Sequence, residues 1–300
     1  MTHAQSTTST DPDAGRAQIG SSVIREGGLR WRLLITSIVV ALYVLAAIFG
    51  PMIVDYDPVQ TRTEDRLLPP GATLSNGETA WLGTDQLGRD SFAQVLEGSR
   101  ISLLVAAGVL IVGGSVGLIL GLVSGYFGGV IDSAIMRVAD VQLAFPGILL
   151  AILIAGVLGP SVFNVIVTLA VTRWVLFARV ARGSTLATKE RDFVNSARVL
   201  GASNFRILRK YILPSILTPL LVTATVQVGL MIVAEASLSF LGLGVPLDQP
   251  SWGSTIANGR DYVSTAWWIA TMPGIALTIV VVSIGLLGDE IRDILDPNLQ

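Results

Sequence analysis

Six apolar runs, each near the length of a bilayer crossing, dominate this 300-residue chain. They lie at about 33–54, 101–123, 134–158, 162–182, 215–241 and 266–288. A helix rises 1.5 Å per residue, so about 20 apolar residues cross the ~30 Å hydrocarbon layer. The expected fold class is an all-α polytopic membrane protein with six transmembrane helices. Composition agrees: 51% of residues are hydrophobic and 14% are charged, against about 25% charged in soluble domains.

The residues that are missing exclude several kinds of chemistry. There is no cysteine, so disulfides, thiol catalysis and Cys-zinc sites are ruled out. The single histidine, His3, lies in a polar tail, away from every apolar run. The usual general base and the commonest metal ligand are thus absent from the body of the chain. A phosphate-binding loop needs Gly-Lys-Ser/Thr, and neither Lys189 nor Lys210 follows a glycine. The chain is expected to bind no nucleotide, metal or cofactor and to be no enzyme by itself. With no paired-carboxylate motif either, a membrane-embedded enzyme is disfavoured.

Residues 1–28 are polar and read as a disordered tail. Residues 29–54 read as the first transmembrane helix, entered through Arg25, Arg30 and Arg32. The 55–99 loop is turn-rich, with Pro69-Pro70-Gly71 and Ser75-Asn76-Gly77. In it, Asp90 is placed to cap a short amphipathic helix bearing Phe92, Val95 and Leu96. Such a helix serves as a scaffold beside helix two or as a docking platform. Residues 100–290 form a five-helix core, and 291–300 a C-terminal segment. Arg182, Lys189, Arg191, Arg198, Arg206, Arg209 and Lys210 cluster between helices four and five, which marks 183–213 as cytoplasmic. Counting outward puts both termini in the cytoplasm and the 55–99 loop outside.

Gly113, Gly117, Gly121 and Gly125 recur every four residues in helix two. They form a stripe that lets another backbone approach closely in lipid. Pro146 in helix three and Pro219 in helix five are candidate kinks. Three ionisable residues fall inside or beside apolar runs. Asp140 follows Arg137 at i,i+3 spacing, which suits a local ion pair. Arg173 and Glu235 lie deeper and at different depths, and read as residues of the pathway or of a subunit interface.

The most informative stretch is "NSARVLGASNFRILRKYILP", residues 195–214. Its start belongs to a helix expected from Glu190 to Leu200, with Val194, Ala197, Val199 and Leu200 on an incomplete apolar face. Gly201 then supplies a turn, and Ser203 or Asn204 caps a second helix bearing Phe205, Ile207 and Leu208. From physics alone two readings stand: an apolar-basic knuckle for a cleft on a partner, or a loop resting on lipid headgroups.

This stretch resembles the EAA loop of bacterial ABC-importer permeases: Glu-Ala-Ala, three residues, Gly, nine residues, Ile-x-Leu-Pro. Gly201, Leu213 and Pro214 match in register, and Ala197 matches the second alanine. Asn195, Ser196 and Tyr211 replace the glutamate, the first alanine and the isoleucine. "WLGTDQLGRDSFAQVLEGSRISL" (81–103), "EASLSFLGLGV" (235–245) and "LLGDEIRDILDP" (286–297) resemble segments of the dipeptide/oligopeptide permease C type. The resemblance spans about residues 30–297. It implies the type I importer fold and, at 183–214, a coupling loop in which Asn195, Ser196, Ala197, Leu200, Gly201, Ala202, Phe205, Leu213 and Pro214 meet the ATPase. It further implies a homologous second permease, two cytoplasmic ATPases carrying ATP and Mg, and an extracytoplasmic substrate-binding protein. The setting is a bacterial cell membrane, and nucleic acid plays no part. The implied solutes are di- or oligopeptides, with nickel chelates or glutathione as the alternative. A secondary transporter or channel is the reading from another class, and such a protein has no need of an ATPase-docking knuckle.

Overall fold

The computed structural model describes residues 12–53, 59–246 and 248–295. Helix α1 spans Pro12–Ile53, α2 Ser91–Phe127, α3 Gly129–Leu143, α4 Gly147–Leu158 and α5 Val162–Lys189. Two short helices follow, α6 (Asp192–Val199) and α7 (Asn204–Ile207). A π turn at Leu208–Ile212 then leads into α8 (Leu213–Phe240), and α9 (Trp252–Gly259) and α10 (Trp268–Leu295) complete the chain.

Among the described residues, five continuous helical runs are long and apolar enough to cross a bilayer: Trp31–Gly50, Ser91–Phe127, Val162–Lys189, Asn204–Phe240 and Trp268–Ile294. The sixth expected span is not one helix. It breaks into α3 and α4, which meet at 88°. Pro146 accounts for the break, because it has no N–H for the helical ladder and disfavours helical geometry in the residue before it.

The packing of α2 on α5 shows that this broken pair is a crossing. Gly113 faces Ala170, Gly117 faces Phe177, Gly121 faces Ala181 and Gly125 faces Thr185. Both numbers rise together, so α2 and α5 run parallel. The chain must therefore return between residues 127 and 162, and α3–α4 carries it. Six crossings result.

The seam is close. A Cβ added at Gly117 would lie 2.6 Å from the Phe177 Cβ, and one at Gly121 would lie 2.7 Å from the Ala181 Cβ. The opposing side is also small, with Ala170, Ala178 and Ala181 buried on α5. Lipid tails give apolar helices little reason to prefer one another, so such backbone proximity is what van der Waals association in a bilayer requires.

Two expectations for the helix ends are corrected. The amphipathic helix capped by Asp90 is not separate, because it is the first turns of α2. Asp90 accepts from the Ala93 N–H at 2.9 Å, and the helix then runs on for 37 residues, about 55 Å. The tail read as disordered lies in α1 from Pro12 onward, and residues 1–11 fall outside the described residues. Propagating an existing helix costs little per residue compared with nucleating one, and proline suits a helix start. Pro219 lies inside α8 without ending it.

One end of the bundle carries the 59–90 loop, α9 and the start of α10. Ala72–Thr73 and Thr79–Ala80 pair as a small antiparallel hairpin, β1 and β2. Its turn is tied down by Asp65, which accepts from the Ser75 N–H and hydroxyl, both at 2.8 Å. Buried Asp85 accepts from the Arg89 Nε at 2.6 Å and the Gln94 amide at 2.8 Å. Trp252 on α9 donates to the Val95 carbonyl at 2.8 Å and packs where Gly98 leaves room. Trp268 donates to the Thr84 carbonyl at 3.0 Å, which anchors α10 to the loop.

Candidate functional site

The opposite end presents the α6–α7 knuckle. Its turn is a Schellman motif. The Gly201 N–H donates to the Arg198 carbonyl and the Ala202 N–H to the Ala197 carbonyl, both at 3.0 Å. Gly201 sits at φ +80°, in the left-handed region that suits glycine. Ser203 then caps α7 by accepting from the Arg206 N–H at 3.4 Å.

This turn sorts the apolar residues into two sets. Val194, Ala197, Ile207 and Ile212 are buried against the bundle. Val199, Leu200 and Phe205 are 87%, 86% and 71% exposed. Ala202 and Leu213 are half-buried, while Ser196 and Pro214 are exposed. The apolar face expected for α6 is thus divided: Val194 and Ala197 hold the knuckle in place, and Val199 and Leu200 point away from it. Among the residues matched to the coupling loop, Ala197 is an anchor, not a contact surface. Asn195 is engaged locally, donating to the Glu190 carbonyl and accepting from Arg198, both at 3.2 Å.

The knuckle is joined to the glycine seam by contacts that sequence reading missed. Lys189 donates to the Gly125 carbonyl at 2.9 Å, and the Tyr126 hydroxyl donates to Asn204 at 2.8 Å. Arg182 grips Asp132 at the start of α3 through two bonds of 2.6 and 2.7 Å, and Ser124 donates to the same carboxylate. These bonds tie α7 to α2, the end of α5 to α2, and α5 to α3 at the knuckle end of the bundle. The only sequence signal was an arginine and a lysine in the last two turns of α5, which the positive-inside rule had already absorbed.

The ionisable residues of the spans fall differently from expectation. Asp140 pairs with Arg179 on α5 at 2.6 Å, not with Arg137 on its own helix. Glu235 is 0% exposed. It accepts from Ser239 at 2.7 Å and from Ser102 on α2 at 3.2 Å. It therefore ties α8 to α2 inside the chain and reaches neither a pathway nor a subunit surface. Arg173 lines a cavity of about 480 Å³ between the α3–α4 elbow and α5. A larger cleft of about 720 Å³ lies between α5, α8 and α10, with Ser215, Thr218, Gln227 and Arg292 in its walls.

A parallel glycine seam, a proline-broken third crossing and an exposed apolar knuckle describe a multi-span permease component that works with other chains. The chain belongs to the family of binding-protein-dependent transport system inner membrane components, whose model matches residues 117–300. Residues 33–70 match the N-terminal transmembrane domain of oligopeptide transport permease C. The chain is 41% identical to a candidate peptide transport system permease protein of Brucella suis, over 100% of this chain and 99% of that one. It is 37% identical to the di/tripeptide transport system permease protein of Pseudomonas aeruginosa, over 91% of this chain and 88% of that one. A chain of the MetNI methionine ABC transporter, in an inward facing conformation, has a similar fold. It aligns with a TM-score of 0.53 at 20% identity, over 68% of this chain and 95% of that chain.

Proposed function

We propose that this chain forms half of the translocation pathway of an ATP-driven importer of di- or oligopeptides and couples that pathway to cytoplasmic ATPases. The observation that carries the coupling is the exposure of Val199, Leu200 and Phe205 on a knuckle fixed by the Gly201 turn. Large apolar side chains held out from the end of a bundle mark a protein contact. Their basic surroundings support a cytoplasmic position for this end, by the positive-inside rule. The bond of Thr36 to Glu290 joins the start of the first span to the end of the last, and Arg292 shares a cleft with Ser215 at the start of α8, just past the knuckle, which supports a cytoplasmic position for both termini. The hairpin end then faces outward, toward a binding protein that delivers the solute. A homologous permease completes the pathway, and two ATPases supply the work, since this chain carries no Gly-Lys-Ser/Thr.

Copurification from native membranes tests the reading. A second permease and ATPases should accompany the chain, and the chain by itself should bind no ATP at equilibrium. Intact chain that is recovered without partners from mild detergent, or that binds ATP stoichiometrically, would overturn it.

A further inference from the structure

Arg173 lies eleven residues past the start of α5, about 16 Å along the helix and near its middle. A guanidinium stays charged at any accessible pH. A charge at such depth is costly, and normally faces water or an opposite charge. Among the described residues no carboxylate pairs with it, whereas Arg179, two turns on, is neutralised by Asp140. Arg173 instead faces the 480 Å³ cavity at the elbow, with Thr172, Leu176, Ile148 and Ala234 among its other walls. Gly147 opens the far wall, where an added Cβ would meet nothing within 4 Å. The first turn of α4 begins there with no side-chain cap, so its free N–H groups add to the positive potential of this wall. The walls are otherwise mostly apolar: Thr172 and Arg179 are the other polar residues, and Arg179 is already held by Asp140, so Arg173 is the wall cation without a carboxylate, in a space large enough for the end of a small solute.

We infer that the elbow cavity is a carboxylate-binding subsite in which Arg173 receives the terminal carboxylate of the solute during passage. The inference rests on the peptide reading above. A guanidinium binds a carboxylate through two parallel N–H···O bonds. Such a bond inside the membrane offsets the desolvation of both charges. It also selects peptides with a free C-terminus over those whose terminus is blocked.

The test is uptake into proteoliposomes by the whole complex, with Arg173 present or replaced by Gln or Lys. Alanyl-alanine and alanyl-alaninamide serve as probes, each at saturating binding protein, with ATPase activity measured alongside. Arg173→Gln should reduce alanyl-alanine uptake at least tenfold and leave alaninamide uptake within twofold. Arg173→Lys should retain an intermediate rate for the free acid, because an ammonium keeps the charge without the fork. Equal losses for both probes, or no loss for either, overturn the inference. Loss of the second permease from purified Arg173→Gln complexes also overturns it, since Arg173 would then be an interface ion pair. Wild-type complex that imports neither these probes nor longer alanine peptides sinks the peptide reading itself. Wild-type complex that imports alanyl-alanine while the Gln variant matches it sinks only the role of Arg173.

Discussion

Replacing Gly117 by alanine should loosen the α2–α5 seam far more than replacing Gly114, three residues away on the same helix. At Gly117 the new Cβ would sit 2.6 Å from the Phe177 Cβ. Carbon atoms prefer about 3.5–4.0 Å, so the helices would have to part by about 1 Å. At Gly114 the nearest atom is the Leu110 Cδ1 at 3.6 Å, an ordinary contact. Alanine is the better helix former at both positions by up to about 1 kcal/mol. That gain cancels when the two variants are compared, which leaves the overpacking cost of about 1–3 kcal/mol. The assay is thermal unfolding of purified protein in detergent at matched expression. Gly114→Ala should melt at or slightly above wild type, and Gly117→Ala clearly below it. Gly121→Ala should follow Gly117→Ala, since its Cβ would lie 2.7 Å from the Ala181 Cβ. Identical melting of Gly114→Ala and Gly117→Ala would refute the claim that backbone proximity holds this seam.

Two further outcomes follow from the knuckle and the buried acid. Gly201→Val meets no clash but forces a β-branched residue to φ +80°, at about 1–3 kcal/mol. It should leave the chain in the membrane while weakening ATPase copurification and uptake. Gly201→Asn, which tolerates that conformation, should be milder, and equal behaviour of the two variants would argue against the turn. Glu235→Gln keeps an acceptor for one of Ser102 and Ser239 and turns an amide donor toward the hydroxyl oxygen of the other, whereas Glu235→Leu strands both hydroxyls, at about 1–3 kcal/mol each. A Leu variant that melts no lower than the Gln variant would show that these bonds contribute nothing.

The apolar runs, the glycine stripe of helix two and the turn at Gly201 are legible in the amino-acid order alone. Each depends on local pattern: the length of an apolar run, a four-residue glycine period, and a glycine and serine at a turn. Such features act over one helix or one turn, where spacing fixes geometry. Which partners these features meet follows from how the helices are arranged in space. The glycine stripe shows that α2 must touch something, but only the fold shows that α5 lies parallel to it and offers Ala170, Ala178 and Ala181. Asp140 has Arg137 within reach along its own helix, yet it pairs with Arg179, which the fold brings to it on α5 from 39 positions away. Glu235 read as a pathway or interface residue, and the fold enclosed it between two serines. An ionisable side chain in a span needs a counter-charge or hydrogen-bond donors. Which of them it finds depends on residues distant in sequence, here 133 positions away for Ser102, and no local pattern encodes that distance.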